Sequence, residues 1–394
     1  MDILRNYEQR KFWVLVLIVS ISGFSQGLLL PLISIIFERD GVSSVLNGFT
    51  ATGIYVGTLL ISPFVEAPLR RWGYKPIIIF GGIVVIVSLL LFPLWKSVMF
   101  WFTLRLFIGI GDHMLHFSTQ TWITSSAKRE TLGKSMAIYG LSFGVGFAVG
   151  PLFVRLIEIS ETIPFIVSSV LCLIAWLMVF TIRNEKPEPI TASGEQSSWK
   201  RYLLTFKYAW IAFIPSFTYG FLESSLNTLY AVSALRIGLE VSLVSVIISA
   251  FAIGAIVTQL PIGALGDKIG RSAVITWGFG IGSLLFAISI LFEQNGYIVL
   301  ALFAGAGMVL GSMYSLGITY MADLTPRDLL PTGNILCSIF FSVGSLSGPV
   351  FGGLYLDYVD ASFLWLVSAF LATVFIINIV YQITSGKTRG QVQG

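Results

Sequence analysis

The sequence predicts an all-α membrane protein, with twelve transmembrane helices in two pseudo-symmetric six-helix bundles, and three observations carry that prediction. Hydrophobic residues make up 55% of the 394 positions and charged residues only 11%, far from the balance of a water-soluble domain. Apolar runs of about 20 residues, enough to cross a hydrocarbon core, recur twelve times. The chain also repeats itself at an offset of 197 or 198 residues. Gly23-Phe24-Ser25-Gln26 answers Gly220-Phe221-Leu222-Glu223, and Gly73 answers Gly270. Arg129-Glu130 answers Arg327-Asp328, and Gly150-Pro151 answers Gly348-Pro349. Two parallel halves of this kind are a transporter architecture, with the site expected where the halves meet.

In chain order the spans are expected at 12–36, 44–64, 75–95, 98–123, 134–156, 164–182, 208–232, 240–262, 273–292, 297–322, 332–354 and 361–383. Arg10 and Lys11 precede the first run, but it is too long for a signal peptide and no small-residue cleavage pattern follows. The longest polar interruption is rich in Pro, Ser, Glu and Lys and has no apolar face, so it reads as a flexible linker. The expected organisation is an N-terminal six-helix bundle at 1–183, a cytoplasmic linker at 184–204, and a C-terminal six-helix bundle with a short cytoplasmic tail at 205–394. Of the 24 Lys and Arg, 19 fall on the side of the N-terminus, four (Arg39, Lys96, Arg155, Arg236) on the other, and Arg105 lies within a span. By the positive-inside rule both termini are cytoplasmic in a multi-pass cell-membrane protein. The net charge of +4 is therefore a topology signal with some attraction to anionic lipid, and no nucleic-acid partner is expected.

The fourth run, WFTLRLFIGIGDHMLHFSTQTW from Trp101 to Trp122, sets Arg105, Asp112, His113 and His116 among apolar or small residues. At 100° per residue Arg105, Asp112 and His116 fall within about 20° of one line, and His113 stands off it. A charge at bilayer depth costs about 3 to 17 kcal/mol, so this stripe must face protein interior or water. Asp112 reads either as a proton carrier or, with Arg105 two turns away, as half of a structural ion pair. His113 and His116 read either as coupling groups or as interhelical hydrogen bonders.

In the seventh run Glu223 lies near mid-depth, with Tyr219 one turn before and Asn227 one turn after on the same face. An acid in an apolar cavity can hold a proton near neutral pH and release it when water or a cation arrives. Glu223 is thus the first candidate for proton coupling or substrate binding, and Gln26 is its uncharged repeat counterpart. Tyr219, Phe221, Tyr230 and Tyr314 are candidates to line a cavity for an amphipathic or aromatic, cationic substrate. Trp13, Trp72, Trp95 and Trp101 read as interfacial anchors, Gln120 and Gln259 as packing hydrogen bonders, and Cys172 and Cys337 as buried fillers.

Several of these residues resemble motifs of the major facilitator superfamily. The run Gly263-Ala264-Leu265-Gly266-Asp267-Lys268-Ile269-Gly270-Arg271 is similar to its cytoplasmic loop signature, Gly-x-Leu-x-Asp-Arg-x-Gly-Arg/Lys. Arg105 with Gly109 and Gly111 resembles its fourth-helix motif. Gly146-x-x-x-Gly150-Pro151, repeated as Gly344-x-x-x-Gly348-Pro349, resembles the motif of its exporting antiporters. The resemblance covers essentially the whole chain and implies the twelve-helix fold and a conformational latch at Asp267, Arg271, Gly263 and Gly270. The first-half loop departs from the pattern: Arg70 stands where the acid is expected, with Glu66 four residues earlier. The plain alternative is that all these charges mark a solvated loop. Glycines four apart let helices approach closely, and Pro151 or Pro349 frees a backbone acceptor and permits a bend.

Leu132-Gly133-Lys134-Ser135 is the nearest string to a phosphate-binding loop, but Lys128 stands where its first glycine belongs. No metal-ligand spacing or nucleophile turn is visible, so neither a cofactor nor an enzymatic activity is expected. The expected function is proton-coupled export of small amphipathic compounds by alternating access, by a monomer that exchanges protons with its substrate. The alternatives are an importer or facilitator of a small metabolite, a lipid or glycolipid transporter, and a non-transporting sensor of the same fold.

Overall fold

The computed structural model describes residues 2–126, 132–187, 198–326, 329–359 and 361–392. The repeat match between Arg129-Glu130 and Arg327-Asp328, the basic residue Lys128 and residues 188–197 of the linker lie outside the described residues. So do the side chains of Arg5, Lys134, Lys387 and Arg389. The chain divides into two compact units, Met1–Ala192 and Ser193–Gly394.

Unit 1 contains α1 (Asp2–Arg39), α2 (Ser44–Ile61), α3 (Glu66–Trp72), α4 (Tyr74–Leu91), α5 (Val98–Ser126), α6 (Leu132–Val149) and α7 (Ile163–Met178). Unit 2 contains α8 (Ser198–Ser225), α9 (Ala231–Arg236), α10 (Val241–Ile269), α11 (Arg271–Leu291), α12 (Gly296–Leu310), α13 (Met313–Leu324), α14 (Leu330–Tyr358) and α15 (Phe363–Val392). Helix is what a chain this apolar must form in lipid, where every backbone group has to be satisfied within its own segment. In unit 1, α1 packs on α6 and α7, α2 on α5, and α4 on α5 and α7. In unit 2, α8 packs on α14, α10 on α12, and α11 on α12 and α15. The two packing schemes correspond helix for helix when α12 and α13 together are matched to α5.

The backbone repeats as well. Every described residue with positive φ is a glycine, and the four fall into two pairs: Gly41 (72°) with Gly238 (87°), and Gly73 (92°) with Gly270 (96°). Each pair is 197 residues apart, and each glycine follows a helix end that a side chain would strain in this conformation. An ion pair repeats too: Arg39 at the end of α1 meets Glu158 at 2.6 Å, and Arg236 at the end of α9 meets Asp357 at 3.9 Å.

Among the described residues, eleven helices are long and apolar enough to span, against the expected twelve. The expected span at 208–232 is helical, running through α8, a π-helical turn at Leu226–Tyr230 and α9, but its many hydroxyls and Glu223 dilute its apolar character. Its interior position accounts for this: Ser216, Thr218, Ser224, Ser225 and Thr228 are completely buried. The loop signature is also not a loop. α10 runs to Ile269 and α11 starts at Arg271, so Gly270 alone makes the turn; in unit 1, Glu66–Trp72 is itself α3, and Gly73 alone separates it from α4. Helix propensity carries both segments up to the glycine that can take positive φ.

Trp101 is not an interfacial anchor. It is 1% exposed and packs its ring against Phe37, Phe92 and Phe165, in the core near one end of unit 1. Trp13, Trp72 and Trp95, at 59%, 52% and 64% exposure, remain at the surface.

Candidate functional site

The polar centre of unit 1 is Asp112 on α5, 4% exposed. Its carboxylate accepts from Ser22 Oγ at 2.5 Å and from Gln26 Nε2, both on α1. Ser22 and Gln26 are four residues apart, so one face of α1 offers two neutral partners to one acid. Ser22 Oγ also lies 2.9 Å from His116 Nε2, one turn along α5 from Asp112. The other ring nitrogen, His116 Nδ1, is 3.0 Å from Tyr139 Oη on α6, and Tyr139 Oη is 3.1 Å from Thr119 Oγ1. Gln26, Asp112, Ser22, His116, Tyr139 and Thr119 thus form one continuous hydrogen-bonded chain across α1, α5 and α6. Each hydroxyl and each imidazole nitrogen can act as donor or acceptor, which is what a proton relay requires. Beside it lies a cavity of about 20 Å³, lined by Asp112, Ser22, Cys172 and apolar residues of α1, α4 and α7, with room for a single water.

Arg105 does not belong to this centre. It is 0% exposed, its Nη1 donates to Thr50 Oγ1 on α2 at 3.1 Å, and its Nε and Nη2 have no hydrogen-bond partner among the described residues. The expected Arg105–Asp112 pair is absent because seven residues of helix separate the two by about 10.5 Å along the axis, and Asp112 is turned to α1. His113 also stands apart, its ring stacked on Phe117 and its Nε2 without a partner. Ser22 and Tyr139 were not singled out in the sequence. For Ser22 the available signal was its i, i+4 spacing from Gln26.

In unit 2, Glu223 is half-buried on α8, and among the described residues no hydrogen bond or ion pair reaches its carboxylate. The rings of Tyr219, one turn before it on α8, and Tyr314 on α13 both pack on Phe341, with centroid separations of 6.2 and 5.2 Å. Asn227, one turn on from Glu223, lies in the π-helical turn at Leu226–Tyr230, and its Nδ2 donates to the Glu223 backbone carbonyl at 2.8 Å. Phe221 and Tyr230 turn away from the acid and pack on Phe370 and Phe303. Phe221 helps to line an open, largely apolar cavity of about 520 Å³ at the surface, with Phe217, Phe370 and the exposed Phe351, Leu354 and Tyr358.

The glycine motifs are packing seams. Methyl groups placed on Gly146 or Gly150 would run into the backbone of α1 around Ser20 to Leu28, and on Gly344 or Gly348 into the backbone of α8 around Phe217 to Phe221. After Pro151 the chain tightens into a 3-10 helix over Gly150–Glu158, while Pro349 lies within an unbroken α14. Of the latch candidates, Asp267 pairs with Arg271 at 2.8 Å, Arg271 also pairs with Asp323 on α13, and Glu66 pairs with Arg70 at 2.6 Å. A methyl group added at Gly263 would meet no atom of another element among the described residues.

The sequence profile of the Major Facilitator Superfamily matches residues 15–235 and 212–392. The chain belongs to this superfamily. It is 50% identical over 367 residues to the uncharacterized MFS-type transporter YfkF of Bacillus subtilis, covering 93% of this chain and 94% of that one. It is 24% identical to Multidrug resistance protein 1 of the same organism, over 84% of this chain and 86% of that one. It is 25% identical to the proton-coupled antiporter flippase LtaA of Staphylococcus aureus, over 95% and 98% of the two chains. In fold it resembles the nucleoside transporter NupG, with a TM-score of 0.75 at 13% identity over 94% and 98% of the chains. The superfamily is one of membrane transporters, and this member resembles its drug-efflux branch.

Proposed function

We propose that the chain is a proton-coupled exporter of small amphipathic compounds, in which Asp112 and Glu223 exchange protons for substrate during alternating access. The observation that carries this reading is Asp112 itself: a buried carboxylate held only by neutral donors, Ser22 and Gln26, and continuous with His116 and Tyr139. A buried charge without a fixed counter-ion is retained where the site must change its charge in function. Glu223, also without a cation partner, gives unit 2 a second such group. The multidrug-resistance relative and the flippase described as a proton-coupled antiporter support export and proton coupling. Both termini are placed in the cytoplasm by the distribution of Lys and Arg, with the α8–α9 segment serving as the twelfth span.

The test is an assay in inside-out vesicles that follows lumenal pH while a panel of lipophilic cations is added. Substrate-dependent proton release is expected from the wild type and is expected to weaken in Asp112→Asn and in Glu223→Gln. Unchanged proton movement in both variants would overturn the assignment, and proton-independent uptake would favour a facilitator. The apolar cavity of unit 2 favours a second reading, a substrate with a lipid-like tail, which a fluorescent glycolipid in the same vesicles would test.

A further inference from the structure

Among the described residues, the rim of unit 1 that carries the α1 N-terminus lacks counterparts of the Arg271 ion pairs that close the matching rim of unit 2. There Arg271 at the start of α11 joins Asp267 on α10 and Asp323 on α13, and also donates to the Thr319 carbonyl at 3.1 Å. The repeat offset puts Arg70, Tyr74 and Ser125 at the positions of Asp267, Arg271 and Asp323. Tyr74 Oη and Ser125 Oγ lie 3.1 Å apart, a neutral hydrogen bond in place of the ion pair, and Arg70 is spent on Glu66.

Charge is nonetheless brought to this rim, from further along the chain. Glu185, a few residues beyond α7, accepts from Lys11 Nζ on α1 at 2.9 and 3.1 Å and from Trp122 Nε1 on α5 at 2.6 Å. Its backbone carbonyl accepts from Tyr74 N at the start of α4 at 3.0 Å. Asn184 beside it accepts from Lys75 N at 3.1 Å and donates to the Trp72 carbonyl at 2.7 Å, bracketing the turn at Gly73. The site is built rather than superficial: the Lys11 side chain is 4% exposed and Trp122 is fully buried, stacked on Tyr74. Lys11 also meets Glu8 at 2.8 Å and Ser126 at 3.2 Å.

We propose that Glu185 is a positioning residue that holds α1 against α5, standing in for the latch acid that the turn between α3 and α4 lacks. α1 packs chiefly on α6 and α7, and α5 on α2 and α4, so the direct α1–α5 seam is short; Phe37 stacks on Trp101 toward one end of it, and two polar bridges tie the rest. One bridge is the Asp112 centre, and the other is the Lys11–Glu185–Trp122 clamp at the rim. The clamp fixes the register at which Ser22 and Gln26 meet Asp112, and it fastens the first residues after α7 to unit 1. The inference rests on the transporter reading only for what that register serves.

The experiment is hydrogen–deuterium exchange on the full chain in lipid nanodiscs without substrate. It compares the wild type, Glu185→Gln, the charge swap Lys11→Glu with Glu185→Lys, and Asp267→Asn. In Glu185→Gln, exchange over residues 7–15 and 118–126 is expected to rise by at least about tenfold, as local opening is released. Residues 266–276 are expected to stay unchanged in that variant. The charge swap is expected to recover protection over residues 7–15, which loss of packing alone would not allow, but not over 118–126, because a lysine at 185 cannot accept from Trp122 Nε1; Asp267→Asn is expected to loosen only the rim of unit 2. Equal exchange in the wild type and Glu185→Gln, or a swap that exchanges over residues 7–15 as fast as Glu185→Gln, overturns the proposal. If Glu185→Gln loses protection throughout, Trp122→Phe removes a single donor and is expected to loosen 118–126 alone; unchanged exchange there also overturns it. No proton movement is measured, so the result is independent of the roles assigned to Asp112 and Glu223.

Discussion

At the scale of single residues, the chemistry rests on how few buried charges there are and how each is held. Asp112 has neutral partners only among the described residues, and under the proposed function proton and substrate are linked through it by a coupling free energy; such couplings are reciprocal. Replacing it with Asn keeps the shape and removes the proton. The pH dependence of substrate affinity, expected to be about 5- to 150-fold in the wild type, should collapse in Asp112→Asn when binding is titrated at pH 6 and pH 8. A second prediction concerns Arg105, whose charge is fully buried with one hydroxyl for a partner and two nitrogens without any. A buried charge left uncompensated destabilises a fold, and an apolar side chain of similar volume often improves it. Arg105→Met should therefore raise the melting temperature of the detergent-solubilised chain by about 2 °C or more while lowering transport. A lower melting temperature would show instead that the guanidinium is structurally compensated. The candidates Asp112 and His116 were legible in the sequence because a charge in an apolar run is conspicuous. Their partners were not, because Ser22 and Tyr139 are ordinary residues whose role depends on which helices pack together.

At the scale of elements, glycine seams set how closely the helices approach. A methyl group at Gly150 would lie 2.5 Å from the Phe24 carbonyl oxygen and 2.6 Å from Leu28 N, both backbone atoms that cannot step aside. Gly150→Ala should cost about 1 to 3 kcal/mol, read as a fall in melting temperature. Gly263→Ala, with nothing near the added carbon inside α10, should be neutral or stabilising by up to about 1 kcal/mol. Equal effects at the two sites would contradict the seam. The loops of unit 1 far from the α1 N-terminus are tied by Lys96, which meets Asp40 at 3.1 Å and Glu161 at 2.6 Å. Partial burial on its own would lower the Lys96 pKa, but the hydrogen bonds to Glu161 and Asp40 outweigh it and the net shift is upward. A cation stabilised in the folded state contributes fully below its unfolded value of 10.5 and is lost as pH rises through the folded value. Melting scans from pH 8 to above pH 11 should show Lys96→Met losing a contribution that the wild type loses only at the alkaline end. Its size should stay below about 1 kcal/mol because the pair is largely solvated. Most helices were legible from hydropathy and length alone. What was not legible depended on backbone detail: the signature read as a loop is helix up to Gly270, and the π-turn at Leu226–Tyr230 leaves no mark in the periodicity.

At the scale of the whole molecule, the two units share one packing scheme, yet their acids are held in different ways. Unit 1 places its acid on the helix matched to α12 and α13 and surrounds it with donors, while unit 2 places its acid on α8 and leaves the carboxylate without a hydrogen bond among the described residues. The repeat was legible because turns and seams need the same glycines in both halves, whereas function needs them to differ: Gln26, at the position of Glu223, serves Asp112 rather than carrying a charge. Two acids that sit in separate units and share no hydrogen-bond partner are expected to act additively. If each carries one proton per cycle, the proton-to-substrate ratio, measured as the pH gradient at which net substrate flux reverses, should halve in Asp112→Asn and in Glu223→Gln. The double variant should leave substrate movement indifferent to the gradient. Loss of all coupling in one single variant with none in the other would assign the proton to one unit. The remaining acid would then be left to bind substrate, and the two units would divide the work of the cycle between them.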